Sequence, residues 1–269
     1  MSAQDLIREL VDAVSVQRDG EVWIGDPSSW GGEYVFGGLV VAQATHAMTR
    51  TAPTSRRIHS LHAYFLKPVR ANRPISYSIS LLRDGRTFAT RHLEAFQDET
   101  RVLAMTCSFT ADSDGYEYEL PIDPDVPGPD EIDSAPAIGP WIAARLGPTP
   151  PEADGTRRAT YRSWIRILGV LPDDTHLHST LIAFATDWTE TGGRPLDLDG
   201  DTRGMISLDH AVWFHRPLRA DEWFFYDVHS LINAGGRGLL IGKMYGPDRR
   251  LAVSVAQEML LRPLDSDPR

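Results

Sequence analysis

The sequence predicts an α+β fold in which a unit of one buried helix and an antiparallel sheet occurs twice. An apolar helix followed by four strand-like segments appears in both halves of the 269 residues. The segment that begins at Phe65, FLKPVRA, resembles FHRPLRA at Phe214, and 101–104 resembles 250–253. Positions 68 and 217, and positions 102 and 251, are each 149 residues apart. One spacing shared by two segments indicates an internal duplication.

The first half reads as a helix followed by an antiparallel meander. Apolar spacing predicts a short helix over 5–14, a strand over 21–24 and a buried helix over about 38–50. The glycines at 37 and 38 are expected to set the start of the buried helix. Four strands, separated by turn residues, are predicted over 57–67, 74–83, 87–97 and 101–111.

The second half repeats this order after a long connection rich in proline and acidic residues. The predicted domains are an N-terminal unit over 1–112, a Pro-rich linker over 113–154 and a C-terminal unit over 155–269. Asp173 and Asp174 complement the dipole at the start of a second buried helix over about 175–187. Strands are predicted over 158–166, 204–216, 222–233, 237–246 and 250–262.

Composition excludes several classes of function. Acidic residues exceed basic ones, 37 against 27, so a nucleic-acid or anionic-membrane binder is not expected. Cys107 is the single cysteine, which excludes an intramolecular disulfide and a thiolate metal cluster. The first residues carry no signal-peptide pattern, and no apolar run approaches the ~18 residues of a membrane span. A cytoplasmic location without membrane insertion is therefore predicted.

Several segments resemble the type II acyl-CoA thioesterase family, the TesB-like enzymes. In the first half these are VFGGLVVAQA at 35–44, IHSLHAYFLKP at 58–68 and LRDGR at 82–86. In the second half they are SLDHAVWFHR at 207–216 and SVAQE at 254–258. The resemblance spans roughly residues 5–263. It implies a double hotdog, two tandem helix-wrapped antiparallel sheets in one chain, and hydrolysis of acyl-CoA to free fatty acid and CoA.

The resemblance also implies that a carboxylate, a hydroxyl and an amide hold the attacking water, and these fall on Asp187, Ser207 and Gln257. Asp187 ends an apolar helix, where an acid opposes the helix dipole, so a functional role is favoured over a structural one. Ser207 stands where the family usually has threonine, and serine lacks the methyl group that restricts the rotamer. Gln257 is the only amide in an apolar-leaning strand and can both donate and accept. Asp209 and His210 are interpreted as structural support near Ser207.

Three residues of the first half are expected to bind substrate. Gly37 and Gly38 offer backbone donors at a helix start for the thioester oxygen, although their lack of side chains could equally serve close packing. His59 corresponds to a histidine near the family's active site. Leu39 replaces a glutamine common in the family, and this departure is expected to alter acyl specificity or activity.

No metal and no cofactor are predicted, since CoA is part of the substrate. The pairs His59–His62 and His176–His178 have ligand spacing, but neither has a second half-site. The expected partner is acyl-CoA. Its phosphates are expected to bind arginines, for which Arg56, Arg57, Arg86 and Arg237 are candidates on turns. The resemblance also implies a homo-oligomer (dimer or tetramer), which is common in the family.

Two alternatives remain open from the sequence. The first is a non-hydrolytic acyl-CoA or lipid binder, suggested by the departures at Leu39 and Ser207. The second is a hotdog hydratase or dehydratase, which would need a catalytic His–Asp arrangement in a different sequence setting. Release of CoA distinguishes hydrolysis from binding, and enoyl-CoA absorbance reports hydration.

Overall fold

The structure, a computed structural model, describes residues 2–27, 32–137, 139–147, 160–188 and 205–261. The predicted strand ends at 158, 159, 204 and 262 lie outside the described residues.

Three α-helices are present in the described part of the chain, α1 (Ala3–Val14), α2 (Gly37–Thr49) and α3 (Thr175–Thr186), together with a short 3₁₀ helix over Pro129–Glu131. Ser2 caps α1 through a capping box with Asp5. Helices α2 and α3 are buried along most of their length and contact each other at the centre of the molecule. Because they are buried on nearly every side, both helices carry apolar residues all round, which agrees with the two buried helices predicted from the sequence.

The described strands form one antiparallel sheet. In the first half they are β1 (Val16–Asp19), β2 (Val22–Gly25), β3 (Arg57–Phe65), β4 (Ile75–Asp84), β5 (Phe88–Gln97) and β6 (Thr100–Thr110). In the second half they are β7 (Ser134–Pro136), β8 (Trp141–Arg145), β9 (Thr160–Ile167), β10 (Met205–Ser207), β11 (Asp209–Phe214), β12 (Phe224–Ala234), β13 (Arg237–Tyr245) and β14 (Leu251–Leu261). Strand β1 is absent from the prediction.

The order of strands shows two equivalent units. The order β2-β4-β5-β6-β3 is matched by β9-β12-β13-β14-β11, and β3 pairs with β11 to join the units. Along this seam Leu61 faces Val212 and Ala63 faces His210. Leu61 is thus the counterpart of His210, and Ala63 is the counterpart of Val212. Both pairs keep the spacing of 149, so the duplication predicted from the sequence is present in the fold.

The predicted spacing is wrong by one residue in the last strand of each unit. The carbonyl of Val102 accepts hydrogen bonds from the two residues that follow β3, and the carbonyl of Ala252 accepts from the two that follow β11. Both strands also shift register at these residues. Val102 therefore corresponds to Ala252, not Leu251, and the counterpart of Gln257 is Cys107.

Two further predictions need correction or addition. The strand predicted over 204–216 is divided at Leu208, which bonds through its N–H to the carbonyl of Glu258 and through its carbonyl to the N–H of Phe65. Ser207 and Asp209 therefore do not lie on one continuous strand. In the segment predicted as a linker, β8 pairs with β9 and buries Trp141 completely. The domain boundaries themselves stay a prediction.

Candidate active site

The structure brings Asp187, Ser207 and Gln257 together in one polar cluster. The amide Nε2 of Gln257 donates to Asp187 Oδ1 at 2.7 Å and to Ser207 Oγ at 2.7 Å. Ser207 Oγ lies 3.4 Å from the same carboxylate oxygen, to which it donates. Asp187 is 2% exposed and Gln257 is fully buried. A carboxylate removed from water in this way needs such donors, because burial without them is strongly unfavourable.

Each member of the polar cluster comes from a different element. Asp187 is the C-cap residue of α3, Ser207 is the last residue of β10, and Gln257 lies on the inward face of β14. Residues 255 and 259 on the same face of β14 are apolar and buried, in keeping with the alternation of a strand. The prediction that these three residues meet is therefore consistent with their placement, and their catalytic role stays a prediction.

The contacts determine the orientation of the Gln257 amide. A carboxylate oxygen only accepts hydrogen bonds, so the side of the amide that faces Asp187 carries the NH₂ group. Its two hydrogens are directed to Asp187 and Ser207, so the amide oxygen points to the opposite side.

Helix α2 begins beside the carboxylate. A Cβ atom at Gly37 would lie 2.7 Å from Asp187 Oδ2, and one at Gly38 would lie 2.5 Å from the carbonyl oxygen of Phe184. Both glycines thus permit close packing of α2 against α3. Phe36, the N-cap residue of α2, makes no side-chain capping hydrogen bond. The positive end of the α2 dipole therefore faces the polar cluster without a capping side chain.

Three buried side chains support the end of α3. The Tyr226 hydroxyl donates to the carbonyl of Thr186 at 2.7 Å, and Thr186 Oγ1 lies 2.8 Å from His210 Nε2. Burial, and then the charge of Asp187, raises the pKa of Tyr226, so this phenol stays protonated. Sequence reasoning missed Thr186 and Tyr226. The duplication contained a signal for the tyrosine, because Tyr77 lies 149 positions earlier.

His59 lies away from the polar cluster. Its Nε2 lies 2.8 Å from Ser108 Oγ, and its ring packs edge-on against Phe88. It is six residues from Phe65, the β3 residue nearest Gly37, which is ~20 Å along an extended strand. Leu39 is fully buried in the hydrophobic core. A substrate contact of His59 stays a prediction that this placement does not support.

Other polar groups do not form a metal centre within the described residues, where no three His, Cys, Asp or Glu side chains are grouped to bind a metal ion. Among the arginines considered for CoA, Arg57 and Arg237 are paired with acidic side chains, and Arg56 donates to backbone carbonyls. No helix of the described residues has the length and apolarity to span a bilayer.

Two central helices wrapped by a duplicated antiparallel sheet, with a buried carboxylate at the end of one helix, define a double hotdog protein. Comparison with known proteins identifies the family. Residues 26–110 match the model of the acyl-CoA thioesterase N-terminal domain, and residues 119–261 match that of the C-terminal domain. The chain belongs to the acyl-CoA thioesterase family.

Individual relatives agree with this assignment over nearly the full chain. Acyl-CoA thioesterase 2 of Haemophilus influenzae is 30% identical, and the match covers 96% of this chain and 98% of the relative. The crystal structure of the acyl-CoA thioesterase II TesB2 from Mycobacterium marinum is 30% identical, with a TM-score of 0.82 over 96% of this chain and 100% of that one. A hot dog protein from Alicyclobacillus acidocaldarius, 18% identical, has a TM-score of 0.79 over 95% and 98%. The predicted family and double hotdog fold are confirmed.

Proposed function

We propose that this protein hydrolyses acyl-CoA to a free carboxylic acid and CoA, and that the polar cluster holds the attacking water. The observation that carries the proposal is the Gln257 amide, which bonds to both Asp187 and Ser207 beside the start of α2. The relatives at 30% identity that are named acyl-CoA thioesterases support the reaction class.

Asp187 is the proposed general base. Gln257 and Ser207 both bond to Oδ1, whereas Oδ2 lies on the side of Gly37. A water on that side transfers a proton to the carboxylate as its oxygen attacks the thioester carbon. The tetrahedral intermediate then expels the CoA sulfur, which takes up the proton. The sum is acyl-CoA plus water giving the acid plus CoA thiol, with no covalent enzyme intermediate.

The start of α2 is the proposed site for the oxyanion. The backbone N–H groups at Gly37 and Gly38 lie at the positive end of a 13-residue helix. Such donors stabilise charge that develops on the carbonyl oxygen in the transition state. A side chain at either glycine would occupy the space between α2 and α3, so the two roles considered for these residues, packing and binding, are compatible.

The test is a CoA-release assay on the purified protein with acyl-CoA esters from acetyl to long-chain and branched. A thiol-trapping reagent reports the product. Asp187→Asn is expected to lower kcat by on the order of 10³-fold with an unchanged circular dichroism spectrum, because the base is lost. Asp19→Asn, an exposed residue on β1, is the matched control and should keep wild-type kcat.

Wild-type turnover by Asp187→Asn would contradict the assigned base. Binding of acyl-CoA without release of CoA by the wild-type protein would instead indicate a non-hydrolytic acyl-CoA binder. A change in enoyl-CoA absorbance without thiol release would indicate a hydratase.

We further propose that the protein acts in the cytoplasm, without an added cofactor, as a dimer or tetramer. Exposed apolar side chains at Tyr64, Leu66 and Trp213, on or beside the seam strands β3 and β11, support self-association. Light scattering coupled to gel filtration measures the state, and a monomer at assay concentration would contradict this part of the proposal.

A further inference from the structure

His210 occupies a place in the core where an apolar residue would suffice for packing. It lies on the inward face of β11 and is fully buried. Its counterpart in the N-terminal unit is Leu61, which is also fully buried. Nδ1 of His210 has no hydrogen-bond partner within the described residues, and an unsatisfied buried polar atom destabilises a fold. Packing alone therefore does not account for the histidine.

The contacts of His210 converge on the polar cluster. Nε2 lies 2.8 Å from Thr186 Oγ1, and that hydroxyl donates its own hydrogen to the carbonyl of Ala183. The hydroxyl is therefore the acceptor from the imidazole, so Nε2 carries the hydrogen. Thr186 directly precedes Asp187, the carboxylate of the polar cluster.

His210 also lies next to Gln257 in the sheet. Ala211 on β11 faces Ala256 on β14, so His210 and Gln257 are the next residues in this register, and both side chains are on the buried face. Burial lowers the pKa of His210 to about 4, and the hydrogen bond to Gln257 acts in the opposite direction. The ring is thus neutral at pH 7. Both hydrogens of the Gln257 amide are directed to Asp187 and Ser207, so the amide oxygen is the atom of Gln257 that is left to accept from the neighbouring His210. One Nε2–H shared between Thr186 and Gln257 fits both contacts.

We propose that His210 is a positioning residue that holds the Gln257 amide in the orientation in which its NH₂ group binds Asp187 and Ser207. The imidazole N–H reinforces the preference set by the carboxylate, because rotation of the amide by 180° would place its NH₂ group against this N–H and its oxygen against Asp187. The inference rests on the proposed function for its kinetic consequence, whereas the geometry of Gln257 is independent of turnover.

The kinetic test compares two variants. His210→Leu introduces the residue found at the corresponding position, Leu61, and His210→Gln retains an N–H donor. His210→Leu is expected to lower kcat about tenfold, as for loss of an aligned contact, with KM within twofold and Tm equal to or above the wild-type value. His210→Gln should recover most of kcat. His178→Leu is the matched control, since His178 is buried in the same unit and accepts a hydrogen bond from Ala220 N–H. It should lower Tm and leave kcat unchanged.

The second test does not require activity. The side-chain NH₂ resonances of Gln257, assigned by their loss in Gln257→Leu, should move toward free-amide values in His210→Leu and remain in place in His210→Gln. Unchanged resonances in His210→Leu, or a loss of Tm with wild-type kcat, would overturn the inference. Absence of CoA release by the wild-type protein would overturn the proposed function alone, because the resonances still report the position of Gln257.

Discussion

In each unit, a polar side chain from the sheet forms hydrogen bonds at the C-terminal end of the buried helix. The strand that supplies this side chain differs between the two units. In the N-terminal unit this side chain is Arg91 on β5, which faces Cys107. In the C-terminal unit it is Gln257 on β14, which faces Leu240. Arg91 corresponds to Leu240, and Cys107 corresponds to Gln257. The polar residue of this cross-strand pair is therefore on β5 in one unit and on β14 in the other.

The two polar side chains bind different groups. Arg91 is 1% exposed and donates to the carbonyl of Thr51, just after α2, at 3.0 Å and to Asp84 at 2.7 Å. Gln257 instead donates to the carboxylate of Asp187, the C-cap residue of α3. The guanidinium of Arg91 binds a backbone carbonyl and so stabilises the chain after α2. Gln257 binds one carboxylate oxygen of Asp187, and the other carboxylate oxygen faces the start of α2. One framework thus supports an anchor in one unit and the proposed general base in the other.

The helix ends differ in the same sense. Thr49 and Thr186 each donate a side-chain hydrogen bond to the carbonyl three residues earlier, so the last turns match. The residue that follows is Arg50 in α2 and Asp187 in α3. Because Ile58 occupies the position of Ser207, the N-terminal unit lacks a counterpart of the carboxylate–hydroxyl–amide arrangement at these described positions.

The largest effect on kcat is expected when Gln257 is replaced by cysteine, the residue at the corresponding position of the N-terminal unit. Gln257→Cys removes the donor to both Asp187 and Ser207, and kcat should fall by on the order of 10²–10³-fold, as for loss of one preorganised donor. The reciprocal change, Cys107→Gln, is the control at the matched position. CoA release measures both, and a Gln257→Cys enzyme with wild-type kcat would show that the amide is dispensable.

The next effect is on stability. Arg91→Leu imports the residue found at position 240 and leaves the carbonyl of Thr51 and the carboxylate of Asp84 without their buried donor. The free energy of unfolding should fall by about 2 kcal/mol, less than for a fully buried pair because Asp84 is half-exposed. Urea denaturation measures it.

If Arg91 acts only as an anchor, the folded Arg91→Leu protein retains wild-type kcat. A fall in kcat without a fall in stability would contradict the proposed division, in which Arg91 anchors the N-terminal unit and the polar cluster of the C-terminal unit carries out the reaction. Arg83→Leu, on the exposed end of β4, is the surface control and should change neither quantity appreciably.

The sequence was sufficient for the duplication and for the residues of the polar cluster, because both depend on residue identity along the chain. It was insufficient where register decides the outcome. A shift of one residue turns a strand's side chains to the opposite face, and the bulges at Val102 and Ala252 that determine the shift carry no distinctive residue type. The correspondence of Arg91 with Leu240 and of Cys107 with Gln257 therefore follows only from the strand register in the structure.

The contacts of the histidines on the strands could not be predicted from the sequence either. His59 matches the family by motif, yet its hydrogen bond is to Ser108. His210 is predicted to be structural support near Ser207, and the structure adds that its ring contacts Thr186 and lies next to Gln257 in the sheet register. A histidine in a strand has no sequence pattern that reports which neighbouring element its ring contacts, since that depends on how the helices pack on the sheet.

The smallest effect concerns one histidine in each unit: His46, which is partly buried, and His210, which is fully buried. Burial lowers the pKa of His46 and of His210 to about 4 in the folded protein, from 6.5. Between these values the unfolded chain binds more protons than the folded one, so stability rises with pH and is lost as pH falls from 6.5 toward 4. Each histidine contributes a slope of at most about 1.4 kcal/mol per pH unit within this window.

Variants that keep the hydrogen bonds but cannot titrate test whether the two units contribute equally. His46→Asn retains an acceptor for the N–H of Val16, and His210→Gln retains a donor toward Thr186. Urea denaturation at intervals from pH 7 to 5 should show a flatter dependence of stability on pH for each variant. Equal flattening indicates that burial dominates in both units. A smaller change for His210→Gln indicates that its contact with Gln257 offsets part of the burial. An unchanged slope in both variants would contradict neutral histidines at these two positions.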